Sequence, residues 1–141
     1  MEGMTKLKEL EYLNMAVNSV AKIEGLKRCE SLNKLDLTLN FVDVEDLQES
    51  LEHLDWCPNL DELTMTGNPC TDWNNYKQYT IAKVPQIKRI DGEDITKSER
   101  LEAKNKLAQL EEELEVLAKA SIEKKEFEAK EGKHDPNAWS R

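Results

Sequence analysis

Two histidines and three cysteines are the side chains of this 141-residue sequence best suited to act as bases, nucleophiles or metal ligands. No serine or cysteine motif accompanies His53 to make it the base of a nucleophilic pair. No C-x-x-C or H-E-x-x-H spacing offers a metal site, and no glycine-rich loop offers a phosphate site. We therefore predict that the chain is not an enzyme and has no catalytic residue, metal or cofactor.

The cysteines have a structural explanation in their positions. Cys29 and Cys57 each stand three residues before a leucine, Leu32 and Leu60. A shared offset of this kind indicates a recurring buried position, where a thiol acts as a small hydrophobic group. An odd number of cysteines without a disulfide pattern is typical of a reducing compartment, so we expect the protein in the cytoplasm.

Three asparagines offer a different chemistry, because a side-chain amide both donates and accepts hydrogen bonds. Asn18, Asn40 and Asn68 close three copies of one pattern, "LEYLNMAVN", "LNKLDLTLN" and "LDELTMTGN". The copies are 22 and then 28 residues apart, and the form L-x-x-L-x-L-x-x-N is that of a leucine-rich repeat. The sequence thus predicts a mixed α/β fold, a leucine-rich-repeat solenoid of about three units over residues 1–68.

The elements that position the asparagines follow from the same spacing. Each L-x-L core predicts a short strand of a parallel sheet, with its leucines pointing inward. The chain then turns away and leaves backbone groups without sheet partners, so the three asparagines are predicted to form a structural ladder that satisfies them. Leu47, Leu51 and Leu54 step by four and three, which predicts a helix in the second return path, and we expect Trp56 to pack at its end.

A solenoid needs a lid over its last unit, since the apolar cross-section would otherwise face water. Residues 69–95 have the composition of such a cap, and "QIKRI" repeats the leucine offsets in reduced form. The apolar residues of the predicted lid are Trp73, Tyr76, Tyr79, Ile81, Val84, Ile87 and Ile90.

A charged amphipathic helix is predicted over residues 96–131, because Thr96 and Glu99 form a capping box and helix formers follow. Four leucines on it step by three and four: Leu107, Leu110, Leu114 and Leu117. This short seam fits two alternatives, a coiled coil with a partner or a helix that leans on the cap. Residues 132–141 are predicted to be a flexible tail.

The residues between the inward leucines should face out from the concave side of the sheet, where solenoids bind partners. They form one row of Tyr12, Lys34 and Glu62, a second of Asn14, Asp36 and Thr64, and a third of Ala16, Thr38 and Thr66. A mixed polar face of this kind favours a protein segment over a small molecule. The net charge of −9 disfavours direct contact with nucleic acid, and no apolar run is long enough to cross a membrane.

The first unit begins within ten residues of Met1, and the sequence before it offers no comparable lid. We expect further repeats upstream to cover this edge in a longer protein, with a dimer contact as the alternative. The oligomeric state cannot be inferred from these residues.

The sequence resembles the leucine-rich-repeat axonemal dynein assembly factors, the tilB family. The resemblance is carried by "YLNMAVNSVAKIEGLKRCESLNKLDLTLNFV", "LDELTMTGNPC", "YKQYTIAKVPQIKRIDG" and "SER". It implies a cytoplasmic scaffold that preassembles dynein arms for motile cilia or flagella. The implied partners are dynein-arm subunits, co-chaperones and other assembly factors.

Family members carry further N-terminal repeats and a C-terminal β-sandwich that this sequence lacks, so the resemblance implies that it is a fragment or a truncated isoform. Two alternatives stay open because related caps occur elsewhere. One is a regulatory subunit that binds an enzyme, of the phosphatase-regulator type, and the other is a ribonucleoprotein component.

Overall fold

A computed structural model describes residues 7–132 of the chain. Met1–Lys6 lie outside the described residues, as do residues 133–141 of the predicted tail, among them His134 and Trp139. Within the described part there are five strands, which form one sheet, and three α-helices, of which the last packs against the other two. The strands are β1 (Tyr12–Asn14), β2 (Lys34–Asp36), β3 (Glu62–Thr64), β4 (Arg89–Ile90) and β5 (Glu93–Asp94). The helices are α1 (Val44–His53), α2 (Tyr76–Lys83) and α3 (Lys97–Gly132).

The sheet has the order β1-β2-β3-β4-β5, and the first four strands are parallel. The equivalent leucines of the three repeats are in register, Leu13 beside Leu35 and Leu35 beside Leu63. Successive strands in the chain are therefore neighbours in space, as the predicted solenoid requires. The predicted leucine-rich-repeat fold class is confirmed.

The core lies between the sheet and the return paths. Leu35, Leu63 and Met65 are fully or almost fully buried, and so are the cysteines Cys29 and Cys57. Three leucines of the second return path, Leu47, Leu51 and Leu54, have no exposed surface, which explains why this path forms α1. Asp43 begins that helix, and its carboxylate accepts a hydrogen bond from the Val44 amide at 2.7 Å.

The lid follows the third repeat. All of its predicted apolar residues are buried, from Trp73 through Ile90. The Trp73 and Tyr79 rings pack with their centroids 5.6 Å apart and a tilt of 51°. "QIKRI" forms β4 against β3, and the chain then turns at Asp91-Gly92 into the antiparallel β5, a strand that the repeat pattern did not predict.

The long helix α3 folds back on the molecule. Its capping box forms as predicted, with the Glu99 amide 3.1 Å from Thr96 Oγ1 and the Thr96 amide 3.1 Å from Glu99 Oε1. Leu110 and Leu114 are buried in the core cluster, and Leu107 and Leu117 pack against it. The leucine seam therefore leans on the chain's own cap and α1, the second of the two alternatives.

Three polar anchors fix α3 in this position. The Glu113 carboxylate accepts hydrogen bonds from Trp73 Nε1 at 2.5 Å and from Asn75 Nδ2 at 3.1 Å. Arg100 donates to the backbone carbonyls before β4, and Ser121 donates to Glu45 at 2.6 Å. Gly132 belongs to this helix, whereas the sequence placed it in the tail.

Candidate protein-binding surface

The first row of the concave face holds alternating charges. The sheet register puts Tyr12 beside Lys34, Lys34 beside Glu62, and Glu62 beside Arg89. Lys34 Nζ lies 5.2 Å from the centre of the Tyr12 ring and 3.4 Å from the Glu62 carboxylate. Arg89 pairs with Asp94 at 2.9 Å. Exposed pairs of this kind add little stability, but they neutralise the row and order its side chains.

Arg89 is a member of this row that the sequence analysis missed. It precedes Ile90 as Glu62 precedes Leu63, so the reduced repeat "QIKRI" contained the signal. The cap thereby extends the concave face by one strand beyond the three repeats.

The second and third rows are smaller and less charged. Asn14 Oδ1 accepts a hydrogen bond from the Ala16 amide at 2.9 Å, and Asp36 Oδ1 accepts from the Thr38 amide at 3.0 Å and the Thr38 hydroxyl at 2.6 Å. Thr64 lies beside Asp36 in the neighbouring strand, and Thr66 is exposed two residues further on. These two rows therefore present short hydroxyl and amide groups around one carboxylate. The sheet register sets Tyr12, Lys34 and Glu62 in one row, and Asn14, Asp36 and Thr64 in the next.

Two of the predicted asparagines bridge neighbouring repeats. Asn40 accepts from the Val20 amide at 2.9 Å and donates to the Met15 carbonyl at 2.8 Å. Asn68 does the same one unit later, with the Val42 amide at 3.0 Å and the Leu37 carbonyl at 2.8 Å. Each amide thus satisfies backbone groups of the preceding unit where the sheet ladder ends.

Asn18 differs from the prediction. It is exposed and donates only within its own turn, to the carbonyls of Met15 at 2.9 Å and Ala16 at 3.1 Å. The reason is the position of β1 at the end of the sheet, where residues 7–132 supply no preceding unit to bridge. The ladder within the described residues therefore has two members.

An aspartate closes the ladder at the other end. In the second unit the backbone amide of Leu37, the residue after the strand, donates to the backbone carbonyl of Thr64 in the next strand. At the third unit the Met65 amide donates to Asp91 Oδ1 at 2.6 Å instead. The other oxygen of Asp91 accepts from the Tyr76 hydroxyl at 3.0 Å, which joins the lid to this closure.

The thiols and His53 have structural surroundings. Burial raises the pKa of Cys57 to about 11 and that of Cys70 to about 12, so both thiols stay protonated. His53 accepts a hydrogen bond from the Leu26 amide at 2.9 Å through Nε2, and burial lowers its pKa. Among the residues that the structure describes, no three His, Cys, Asp or Glu side chains cluster as metal ligands would.

Two exposed apolar features were not expected. Trp56 does not pack at the end of α1: it is 47% exposed, and Lys27 Nζ lies 5.0 Å from its ring centre. The 3-10 turn Leu54–Trp56 directs Leu54 inward, so the residue two positions later points away from the core. At the opposite end of the strands, three side chains in the turns that follow β1 and β2 are also exposed: Val17, Leu39 and Phe41.

Comparison with known proteins agrees with this architecture. The leucine-rich-repeat family matches residues 1–120. Dynein axonemal assembly factor 11 of Trypanosoma brucei brucei is 43% identical over 104 residues, which make up 73% of this chain and 26% of that protein. The mouse protein of the same name is 38% identical over 119 residues, 84% of this chain and 24% of that protein. Protein tilB of Drosophila melanogaster is 44% identical over 108 residues, 77% of this chain and 27% of that protein.

The chain thus spans about a quarter of the length of these relatives. Among solved structures, a chain of the Drosophila melanogaster SNF/U2A' complex matches with a TM-score of 0.51 and 20% identity, covering 80% of both chains. A chain of the Chaetomium Mex67:Mtr2 subunits matches with a TM-score of 0.55 and 25% identity, covering 70% of this chain and 64% of that one. The likeness to the first of these shows the fold alone.

Proposed function

The chain belongs to the leucine-rich-repeat family and is similar to axonemal dynein assembly factors over most of its length, and from this we propose that it is a binding scaffold for dynein-arm preassembly. The observation that carries the proposal is the identity of 38–43% to proteins of that name in a trypanosome and a mouse. The partners we propose are dynein-arm subunits, co-chaperones and other assembly factors.

We propose the concave face as the contact surface. Its first row presents a lysine, a glutamate and an arginine that pair with one another or with Asp94, so a partner would meet charges of both signs. Its other rows are short and leave room for an extended or helical segment to lie across the strands. Tyr12, which is 47% exposed at the end of the first row, offers the large amphipathic ring that is common at binding hot spots.

We further propose that the chain acts by binding alone, without catalysis, a cofactor, direct nucleic-acid contact or a membrane anchor. Its proposed location is the cytoplasm, extending to the cilium or flagellum, and the word axonemal in its relatives' names supports the link to the cilium. In the stretch from residue 7 to residue 132, no helix has the length and hydropathy needed to cross a bilayer.

The experiment is a capture assay with the tagged full chain in extract from ciliated cells. One variant carries Tyr12→Ala with Thr64→Arg, which removes the ring from the first row and places a long cation on the second row, beside Asp36. The matched control is Gln48→Arg, which adds the same cation to the exposed face of α1, away from the sheet. Bound dynein-arm subunits and co-chaperones are quantified by mass spectrometry.

We expect the sheet variant to capture at least about fivefold less of these proteins than the unaltered chain, and the control to capture the same amount. Equal capture by the sheet variant would place the contact elsewhere. If a phosphatase or a ribonucleoprotein replaced the dynein-arm proteins in the capture, the assembly role itself would be wrong.

A further inference from the structure

The turns that follow the three repeat strands form one edge of the molecule with an unusual composition. We call it the turn edge and define it as residues 14–20, 36–43 and 64–75. None of these residues is Lys or Arg, although the whole sequence has 20 of them. The edge carries three aspartates, Asp36, Asp43 and Asp72, of which Asp43 pairs with Lys125 at 3.0 Å. The three segments therefore carry negative charge, which is partly offset by Lys124 and Lys125 of α3, since these lysines line one depression with Asp43 and Asp72.

Large apolar side chains stand out from this acidic edge. Val17 is 73% exposed, Leu39 is 55% exposed and Phe41 is 60% exposed. The Val17 amide donates to the Thr38 carbonyl at 2.8 Å, so the turns continue the close spacing of the strands. Neighbouring strands lie about 5 Å apart, which is also the distance between residues three or four apart on one face of a helix.

Two of these apolar residues have a left-handed backbone conformation, which is unusual for their side chains. Val17 and Leu39 have φ of 55° and 56°, and Gly67 holds the equivalent place in the third repeat with φ of 83°. A left-handed conformation is strained for a branched side chain and is free of strain for glycine. Hydrophobic side chains that are mostly exposed and stand on a strained backbone add little to the core, which points to a use in binding.

Gly67 also has a part in this arrangement. A Cβ built on Gly67 would come within 2.6 Å of Leu39 Cδ2, so the Leu39 side chain lies over the bare glycine backbone. The Leu39 side chain thus packs against the backbone of the third repeat, and this contact limits the directions that it can take. The exposed leucine is an ordered contact point on the edge.

We propose that the turn edge binds a basic amphipathic helix of another protein. The apolar face of such a helix would cover Val17, Leu39 and Phe41, and its Lys or Arg residues would face Asp36 and Asp72. An acidic or neutral segment would lack the charge complement, and an anionic membrane surface would be repelled. This inference goes beyond the dynein-arm proposal, because it adds the exposed apolar residues of the turns to the part of the concave face that both surfaces share. It also does not require the partner to be a dynein subunit.

The test measures binding of a fluorescent amphipathic helical peptide of leucine and lysine to the full chain by anisotropy. A second peptide has glutamate in place of each lysine. The protein variant is Leu39→Asn with Phe41→Ser, in which asparagine tolerates the left-handed turn. The matched control is Trp56→Ser. It removes an aromatic ring about as exposed as Phe41 from the segment before β3, at the opposite end of the strands from the turn edge.

We expect the edge variant to weaken binding of the lysine peptide at least about tenfold, a change typical of losing a hot spot. Its thermal unfolding midpoint should not fall, since the strained Leu39 is replaced by a residue suited to the turn. The Trp56→Ser control should bind as the unaltered chain does, and the glutamate peptide should not bind.

Several results would overturn the proposal. The proposal is wrong if the unaltered chain does not bind the lysine peptide, or if it binds the glutamate peptide equally well. It is also wrong if the edge variant binds the lysine peptide as tightly as the unaltered chain does, or if Trp56→Ser weakens binding as much as the edge variant. Sedimentation of the unaltered chain and the edge variant provides one more. If the chain self-associates and the edge variant is monomeric, the edge binds a second copy rather than a basic helix.

Discussion

The first and third repeats carry the same pattern but differ in how completely it is buried. Leu63 and Met65 of the third repeat have no exposed surface, whereas Leu13 and Met15 of the first are only partly buried. The leucine pattern therefore specifies the shape of a repeat, whereas the burial of its leucines depends on the repeats beside it. A repeat that packs against one neighbour is therefore less stable than a repeat that packs against two.

The two ends of the sheet show why. The third repeat has β2 on one side and β4 with the lid on the other. The first repeat has only β2 beside it among the described strands, and a cavity of about 690 Å³ runs along its inner side. Leu13, Met15 and Ile23 are among the residues that line this cavity.

The largest expected effect comes from truncating the equivalent leucine in each repeat. Leu63→Ala should lower the free energy of unfolding by about 4 kcal/mol, because it leaves a cavity in a fully packed site. Leu13→Ala should lower it by about 1 kcal/mol, because that side chain already borders open space. Urea denaturation followed by circular dichroism measures both. Equal losses would show that something covers the first repeat as fully as the lid covers the third.

The asparagines allow a second test of the same comparison. Asn68→Ala should cost about 3 kcal/mol, since it deprives the buried Val42 amide of its acceptor and removes one of the two amide donors to the Leu37 carbonyl, leaving Asn40 alone. Asn18→Ala should cost less than about 0.5 kcal/mol, because Asn18 is exposed and bonds only within its turn. The same urea experiment compares them, with Asn40→Ala as a second interior position. A large loss at Asn18 would contradict the two-member ladder.

The repeat offsets were enough to predict the sheet, its register and the interior asparagines. They work because inward leucines and turn asparagines each have a direct physical requirement, burial and hydrogen bonding. The lid residues Trp73 to Ile90 were also predictable, since an apolar cross-section must be covered. The concave residues follow from strand alternation once the strands are known, although Arg89 was overlooked in the shortened repeat.

Other features depend on contacts that a repeat pattern does not encode. The position of α3 is set by distant pairs such as Glu113 with Trp73, which stand 40 residues apart in sequence. The exposure of Trp56 depends on a local 3-10 turn, and the left-handed turns at Val17 and Leu39 run against the preference of those residues. Asn18 does not bridge two units because β1 has no preceding unit among residues 7–132, and not because its own repeat departs from the pattern.

The first repeat is nevertheless held from its inner side by α1 of the second. Ser50 accepts a hydrogen bond from the Ile23 amide at 3.0 Å, and His53 accepts one from the Leu26 amide at 2.9 Å. These two residues stand one helical turn apart and replace the secondary structure that the first return path lacks. His53 can serve as an acceptor only while its imidazole is neutral.

This dependence predicts that the first repeat loosens in mild acid. Burial lowers the pKa of His53 below 6.5, with smaller and opposing effects from Glu24 and Lys22. Between that usual value and the lower folded one, the unfolded chain binds the extra proton, so stability should fall as the pH falls through this window. His53→Gln keeps an acceptor without titrating and should flatten the dependence. Urea unfolding between about pH 7.5 and about pH 5.5 makes the comparison. A slope that persists in His53→Gln would mean that another group loosens the chain in acid, and His53 would then be a packing residue only.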